Sequence, residues 1–426
     1  MNLGFSKELI SPKVPCDSIG KEKRATRIHD DLFVRVMIEK ENKINIFLFY
    51  DLIAIDEYFI NILKKKLKKN SIYYDNLTIS CIHTHSAKGG TLNTRDKDSI
   101  LYGTEDIFRK IDEEYMDFVF EKTIRAIDDA QKNIKEYEIY TKEFIAAGIG
   151  KNRNSIEKES DERVLIFKFV SKEDKIILFN FSCHPTVLPI ENKDISSDLI
   201  HGLYKKFEND FSLVLFANGP AGDISTRFTR KKRDYEEIYR LIDIIYSEYE
   251  KVDFKKIDSL KEEIKITDFK IKLEIRKPKN KEVILENINR YEEELKDAKK
   301  RENNSKEIRY IESLIEGENN ELNYLSSYSG KDFIDLDIKI MDFFGKLIIT
   351  IPGELYYELG KKLVDKYNAY FFTYTNGYLM YICNMEAYDK GYYEASSSFL
   401  KNGQGEFLID SLDEEIRKIR GKIYDN

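Results

Sequence analysis

A chain of 426 residues, 42% hydrophobic and 35% charged, can bury the core of one large α/β domain, or of one domain with an appendage. A net charge of −7 offers no basic face for nucleic acid and does not favour an anionic membrane surface. No window approaches an uninterrupted membrane span, and residues 1–8 lack the basic and apolar regions of a signal peptide, so a soluble, cytoplasmic protein is expected.

In chain order, Ile44 to Leu52 is an apolar run of strand length ending near Asp51, and Ile55 to Lys69 reads as an amphipathic helix. Leu77 to Ile82 is a second strand, and Tyr115 to Asn133 has helical periodicity. Val164 to Val170 and Ile176 to Ser182 flank a short polar turn and predict a hairpin. Leu199 to Phe207 predicts a helix, and Leu213 to Ala217, Lys346 to Ile351 and Ala369 to Tyr374 predict buried strands. Helical patterns separate most of these strands, which gives a mixed α/β sheet covered by helices. From about Tyr235 to Gly330 the helical segments are dense in Lys, Glu and Asn. Within them Val283 to Leu314 predicts one or two exposed helices, read as a solvated surface insertion rather than a binding module. No short internal repeat is evident. The four cysteines, Cys16, Cys81, Cys183 and Cys383, lack the spacing of a zinc ribbon or redox motif. They imply a reduced compartment, with Cys81 and Cys183 as buried structural thiols.

Five unusual segments follow five apolar strands: His83-Thr84-His85-Ser86, Cys183-His184-Pro185, the small-residue loop Asn218 to Ser225, Pro352-Gly353-Glu354, and Asn376 to Tyr381. In open α/β sheets, sites gather beyond the carboxyl ends of strands. His-x-His on an extended segment would turn both rings to one side, where His184 and Glu354 could join them. Imidazoles, a carboxylate and a further oxygen suit Zn²⁺ with room for water. Each element also has a plain structural reading. An isolated histidine is commonly packed or solvated, Pro-Gly-Glu forms turns, Asp223 or Ser225 can cap a helix, and Tyr378 to Tyr393 can be aromatic core. The glycines of the 218–225 loop would let backbone amides face an oxyanion, with Ser225 as nucleophile or polar anchor.

Together these segments resemble the motifs of the neutral ceramidase catalytic domain. Ser80 to Gly90 resembles its T-H-T-H-S-G-P-G-G signature, Phe181 to Thr186 its second histidine motif, and Gly222-Asp223-Ile224-Ser225 its G-D-V-S-P-N motif. Pro352-Gly353-Glu354 resembles its P-G-E, and Asn376 to Tyr381 with Tyr393-Glu394-Ala395-Ser396 its N-x-Y-x-x-Y and Y-E-A-S segments. Asn152-Arg153 resembles its N-R element, and Gly4 to Lys7 with Ile28 to Leu32 its opening. The resemblance implies one catalytic domain spanning residues 1–426 and including the 235–330 insertion, without the C-terminal immunoglobulin-like domain of longer members. It implies zinc held by His83, His184, Glu354 and Tyr381, with Tyr378 as the alternative tyrosine. It also implies that His85, Arg153 and Tyr393 orient substrate or stabilise an oxyanion, and that Ser225 matches the family's site serine. Ala87-Lys88 and Thr226-Arg227 depart from the usual Gly-Pro and Pro-Asn, both near where substrate would lie.

The implied reaction is zinc-dependent hydrolysis of an N-acyl amide, ceramide to sphingoid base and fatty acid. Two alternatives stand beside it: a zinc hydrolase of a soluble amide or ester, and a noncatalytic binding protein on the same fold.

Overall fold

A computed structural model describes residues 1–20, 22–258, 263–301, 305–328 and 330–424. Its main strands fall into three four-stranded units. The first comprises β1 (Asn2–Leu9), β2 (Phe33–Lys40), β3 (Ile44–Tyr50) and β4 (Asn76–Cys81). The second comprises β5 (Glu138–Ile145), β6 (Arg163–Val170), β7 (Lys175–Phe181) and β8 (Leu213–Asn218). The third comprises β9 (Lys265–Glu274), β10 (Phe333–Phe343), β11 (Lys346–Ile351) and β12 (Tyr370–Thr373). In each unit the first three strands form an antiparallel meander and the fourth lies parallel to the third. A parallel neighbour needs a crossover. The helices α1 (Glu57–Lys69), α3 (Leu199–Phe207) and α7 (Tyr357–Tyr367) supply it, while α2 (Glu113–Lys132), α4 (Tyr235–Tyr249) and α8 (Gln404–Tyr424) follow the fourth strands.

Local signals agree with these boundaries. Asp56, Asp112 and Asp234 cap α1, α2 and α4 by accepting backbone N–H groups of the first turn. Strand alternation divides the apolar residues between two layers. Phe47, Phe49, Leu165, Phe167, Leu178, Leu215, Ile348 and Phe372 meet in a central core between the sheets. Their neighbours Ile46, Leu48 and Ile349 pack in one outer cluster with helices, and Ile166, Ile177 and Phe216 in another. Because both faces are buried, these strands read as continuous apolar runs.

The segment 235–330 differs from its sequence reading. It opens with α4, whose Ile238, Leu241, Ile242 and Ile245 are core residues. It continues with β9, where Lys-Ile-Thr-Asp-Phe-Lys-Ile-Lys-Leu-Glu alternates with period two and pairs along its whole length with β10. Only then come the charged helices α5 (Lys281–Lys300) and α6 (Ser305–Ser327), which lie side by side. This pair is not a freely solvated appendage. Arg276, just after β9, pairs with buried Glu321 of α6, and Asn320 donates to Ser397 Oγ at 3.0 Å. Gly317 faces Ser396 so closely that an added Cβ would sit 3.1 Å from the serine Cβ.

Candidate metal centre

Three strand ends build the centre. Beyond β4, the N–H groups of Ile82 and His83 bond to Tyr50 O and Leu52 O, both at 3.0 Å. His83 then adopts φ 69°, in the left-handed region. The segment is therefore a sharp turn, not the extended His-x-His expected, and the two rings stand at 88° to one another. A non-glycine residue held there costs about 1–3 kcal/mol, a strain that collects at functional sites. Asn218, at the end of β8, donates to Cys183 O at 3.0 Å and Ile82 O at 3.4 Å, tying both histidine loops together.

His83, His85 and His184 bring their Nε2 atoms within 3.1–3.3 Å of one another. Second partners fix two of the tautomers. His83 Nδ1 lies 2.8 Å from Ile53 O and His184 Nδ1 lies 3.1 Å from Ala221 O, so each Nδ1 must donate and each Nε2 turns a lone pair inward. Burial and the neighbouring imidazoles push His85 and His184 well below the usual histidine range. Glu354 follows β11 and completes the group. Among the described residues its Oε2 has no hydrogen-bond partner, and it sits 3.4 Å from His83 Nε2 and 3.7 Å from His184 Nε2. Inward lone pairs around an orphaned buried carboxylate oxygen repel unless a cation joins them. Bonds of about 2.0–2.1 Å at tetrahedral angles place ligands about 3.3 Å apart, close to the spacings observed. The buried histidine cluster can thus hold a metal ion.

The other anticipated residues surround this group. Glu354 and Tyr381 are register partners in a short parallel pairing, which sets them side by side. The Tyr378 hydroxyl donates to Glu354 Oε1 at 2.5 Å, so Tyr378 orients the carboxylate. Tyr381 faces the Arg153 guanidinium at 5.2 Å and the Tyr393 ring at 6.1 Å. Burial holds both Tyr378 and Tyr381 phenols well above their usual range. Arg153 is buried, donates to Gly222 O at 2.6 Å and pairs with Glu394 at 2.5 Å. Burial opposes its charge, but Glu394, Tyr381 and Glu354 hold it well above the usual guanidinium range. Ser225 is buried, and its Oγ accepts the Arg227 N–H at 3.3 Å as the cap of a short turn. His85, anticipated as a substrate-binding residue, places its Nε2 within 3.3 Å of those of His83 and His184.

Several contributors carry no sequence signal beyond ordinary core or surface residues. Tyr374 stacks on His83 at 4.0 Å, and Lys23 donates from Nζ to His85 O at 3.1 Å. Gly222, by contrast, belongs to a motif visible in the sequence and is required by close approach, because an added Cβ would lie 2.4 Å from Glu354 O. The remaining histidines, His29 and His201, lie elsewhere beside Asp30, at 3.0 and 3.5 Å.

No family model and no curated protein matches the chain. Solved structures do. A neutral ceramidase from Pseudomonas aeruginosa has a TM-score of 0.71 at 14% identity, covering 96% of this chain and 73% of its own. A ceramidase complexed with C2 has a TM-score of 0.70 at 13% identity, with the same coverage. At such identities the likeness is one of architecture, and it agrees with the motif resemblance: the chain has the neutral ceramidase fold.

Proposed function

We propose that the chain is a zinc-dependent hydrolase of N-acyl amides, ceramidase-like in reaction. The observation that carries this reading is the buried meeting of three histidine Nε2 atoms with an otherwise unpartnered Glu354 oxygen, at the carboxyl ends of strands from three units. Nitrogen and carboxylate donors at tetrahedral spacing favour zinc over hard cations such as Mg²⁺ and Ca²⁺. His83, His184 and Glu354 would hold the ion, with His85 or Tyr381 completing its coordination. The bound ion would supply Lewis acidity and a nucleophilic water near neutral pH.

The chain's own groups define the rest. Ile53 O and Ala221 O keep His83 and His184 in the ligating tautomer. Glu394 fixes Arg153, which presents fixed positive charge beside Tyr381, where an amide carbonyl would gain negative charge. Tyr393 stands half-buried beside Tyr381 and would contact substrate. Ser225 uses its oxygen to cap a turn, which suits an anchoring role better than attack. No helix among the described residues is long and apolar enough to cross a membrane.

The test is metal content and hydrolysis of N-acyl-sphingosine in detergent, for the wild type and His83→Ala. About one zinc per chain and amide cleavage are expected, both lost in the variant. Full activity in a metal-free His83→Ala protein would refute the proposal.

A further inference from the structure

Just beyond the capped turn at Ser225 stand two cations without an ion-pair partner among the described residues. Arg227 Nη1 donates to Arg153 O at 3.1 Å. Arg230 Nη1 donates to Thr186 O at 3.3 Å and Thr226 Oγ1 at 3.1 Å. All three acceptors are neutral, and among the described residues neither guanidinium has a carboxylate at ion-pair distance. Both are half-buried. Burial together with neighbouring arginines pulls each down to about 10, so both still carry full charge at neutral pH. Lys23 is a third such group, half-buried on the carbonyl of His85 with no ion pair among the described residues.

Apart from the exposed Glu191 near Lys23, the acids nearby are already committed. Glu394 pairs with Arg153, and Glu316 pairs with Arg309 on α6. The Asp198 oxygens accept the N–H groups of Val187, Leu188 and Leu199. Glu354 belongs to the histidine cluster. A bound divalent ion would add still more positive charge. Partly desolvated guanidinium groups three residues apart on one turn, without an anion, are costly, and such a pair persists where a ligand completes it. The guanidinium fork matches the oxygens of carboxylate and phosphate. Arg230 reaches the loop that carries His184, and Arg227 follows Ser225, so an anion held there would lie beside the metal centre.

We propose that the substrate is an anionic N-acyl amide, whose carboxylate or phosphate group is held by Arg227 and Arg230, with Lys23, on the carbonyl of His85, as a further cation. This rests on the amide-hydrolase reading and narrows it away from a neutral lipid amide.

The experiment compares N-dodecanoylglycine, N-dodecanoyl-O-phosphoethanolamine and neutral N-dodecanoylethanolamine on the zinc-loaded full chain. Both turnover and calorimetric binding are measured at low and high salt. The anionic amides are expected to exceed the neutral one by roughly tenfold in kcat/KM and in affinity at low salt, with the margin shrinking as salt rises. The larger of the two anionic margins identifies carboxylate or phosphate. Arg227→Gln and Arg230→Gln should each collapse the anionic-to-neutral ratio, and Arg227→Lys should keep part of it. Melting temperatures identify any variant that fails to fold, in which case the remaining substitutions decide. Equal or better binding and cleavage of the neutral amide, or a ratio untouched by folded variants, overturns the proposal. If no amide is cleaved but the arginine-dependent preference in binding persists, the hydrolase reading falls and the anion site stands. If binding shows no preference, the anion site falls as well.

Discussion

Replacing Glu354 by glutamine tests the metal centre at its most informative point. The side chain keeps its shape, and its carbonyl can still accept the Tyr378 hydroxyl now bonded to Oε1 at 2.5 Å. What changes is Oε2, the unpartnered oxygen 3.4 Å from His83 Nε2, which becomes a neutral amide nitrogen unable to ligate. Loss of an outer partner of a metal ligand typically costs about 10–100-fold in affinity. Loss of an anionic ligand should therefore cost at least about 100-fold, or about 3 kcal/mol. Stability should follow by linkage. Free zinc at about a thousand times Kd stabilises the native state by about 4 kcal/mol, roughly 5 °C in Tm for a chain this long. Glu354→Gln should lose most of that zinc-dependent increment, yet without metal melt no lower than the metal-free wild type, because a buried charge has gone and an amide N–H can donate to an imidazole lone pair. Competition with a chromophoric chelator gives Kd, and thermal unfolding with and without zinc gives the increment. A variant that binds one zinc with Kd within threefold of the wild type would refute the assignment of Glu354 as a ligand.

Three further outcomes follow from other parts of the molecule. Glu394→Gln leaves Arg153 buried without its partner and should destabilise the fold by about 3–5 kcal/mol in urea titration, with loss of amide hydrolysis; a change under about 1 kcal/mol would show that Arg153 is held otherwise. Gly222→Ala places a Cβ 2.4 Å from Glu354 O, so the two loops must separate. At least about 2 kcal/mol of stability and most bound zinc should be lost, and a zinc-replete variant of normal Tm would contradict this. Burial and the neighbouring Glu41 and Glu263 raise the Glu39 carboxyl from 4.5 to about 7. The folded state then holds a proton that the unfolded chain has lost, so this group's stabilisation is complete below about pH 4.5 and disappears as pH rises to about 7. Glu39→Gln should unfold at higher denaturant than wild type at pH 8, by about 1–2 kcal/mol after allowance for solvent screening, and converge with it near pH 4. An unchanged difference across that range would contradict the assignment.

What could be read in the sequence follows from which faces each segment buries. β3, β4, β7, β8, β11 and β12 are covered on both sides, so their apolar runs stand out. β9 alternates apolar with charged residues, as in Lys270-Ile271-Lys272-Leu273, inside a lysine-rich stretch that reads as helical overall, so the strand does not stand out. The histidine and Pro-Gly-Glu motifs were legible because rare residues directly follow buried strands. The placement of His85 was not, since it depends on the left-handed turn at His83. The pairing of Arg153 with Glu394 and the unpaired state of Arg227 belong to distant segments and have no local signature.

The threefold succession of strands is also silent in sequence, yet it explains why the motifs converge. Each unit runs its third and fourth strands parallel, so both carboxyl ends point the same way. The inner faces of all three units share one core, and the Cys81 N–H bonds to Tyr374 O at 3.1 Å while Thr373 Oγ1 donates to Gly219 O at 2.6 Å, joining the units where their fourth strands end. Each unit then contributes to the centre: His83 and His85 follow β4, His184 follows β7, and Glu354 follows β11. No unit can assemble the donor set alone, so ion binding there would read out the mutual packing of all three. A substitution that loosens the central core, far from any ligand, should therefore weaken zinc binding in proportion to the disorder it introduces between units.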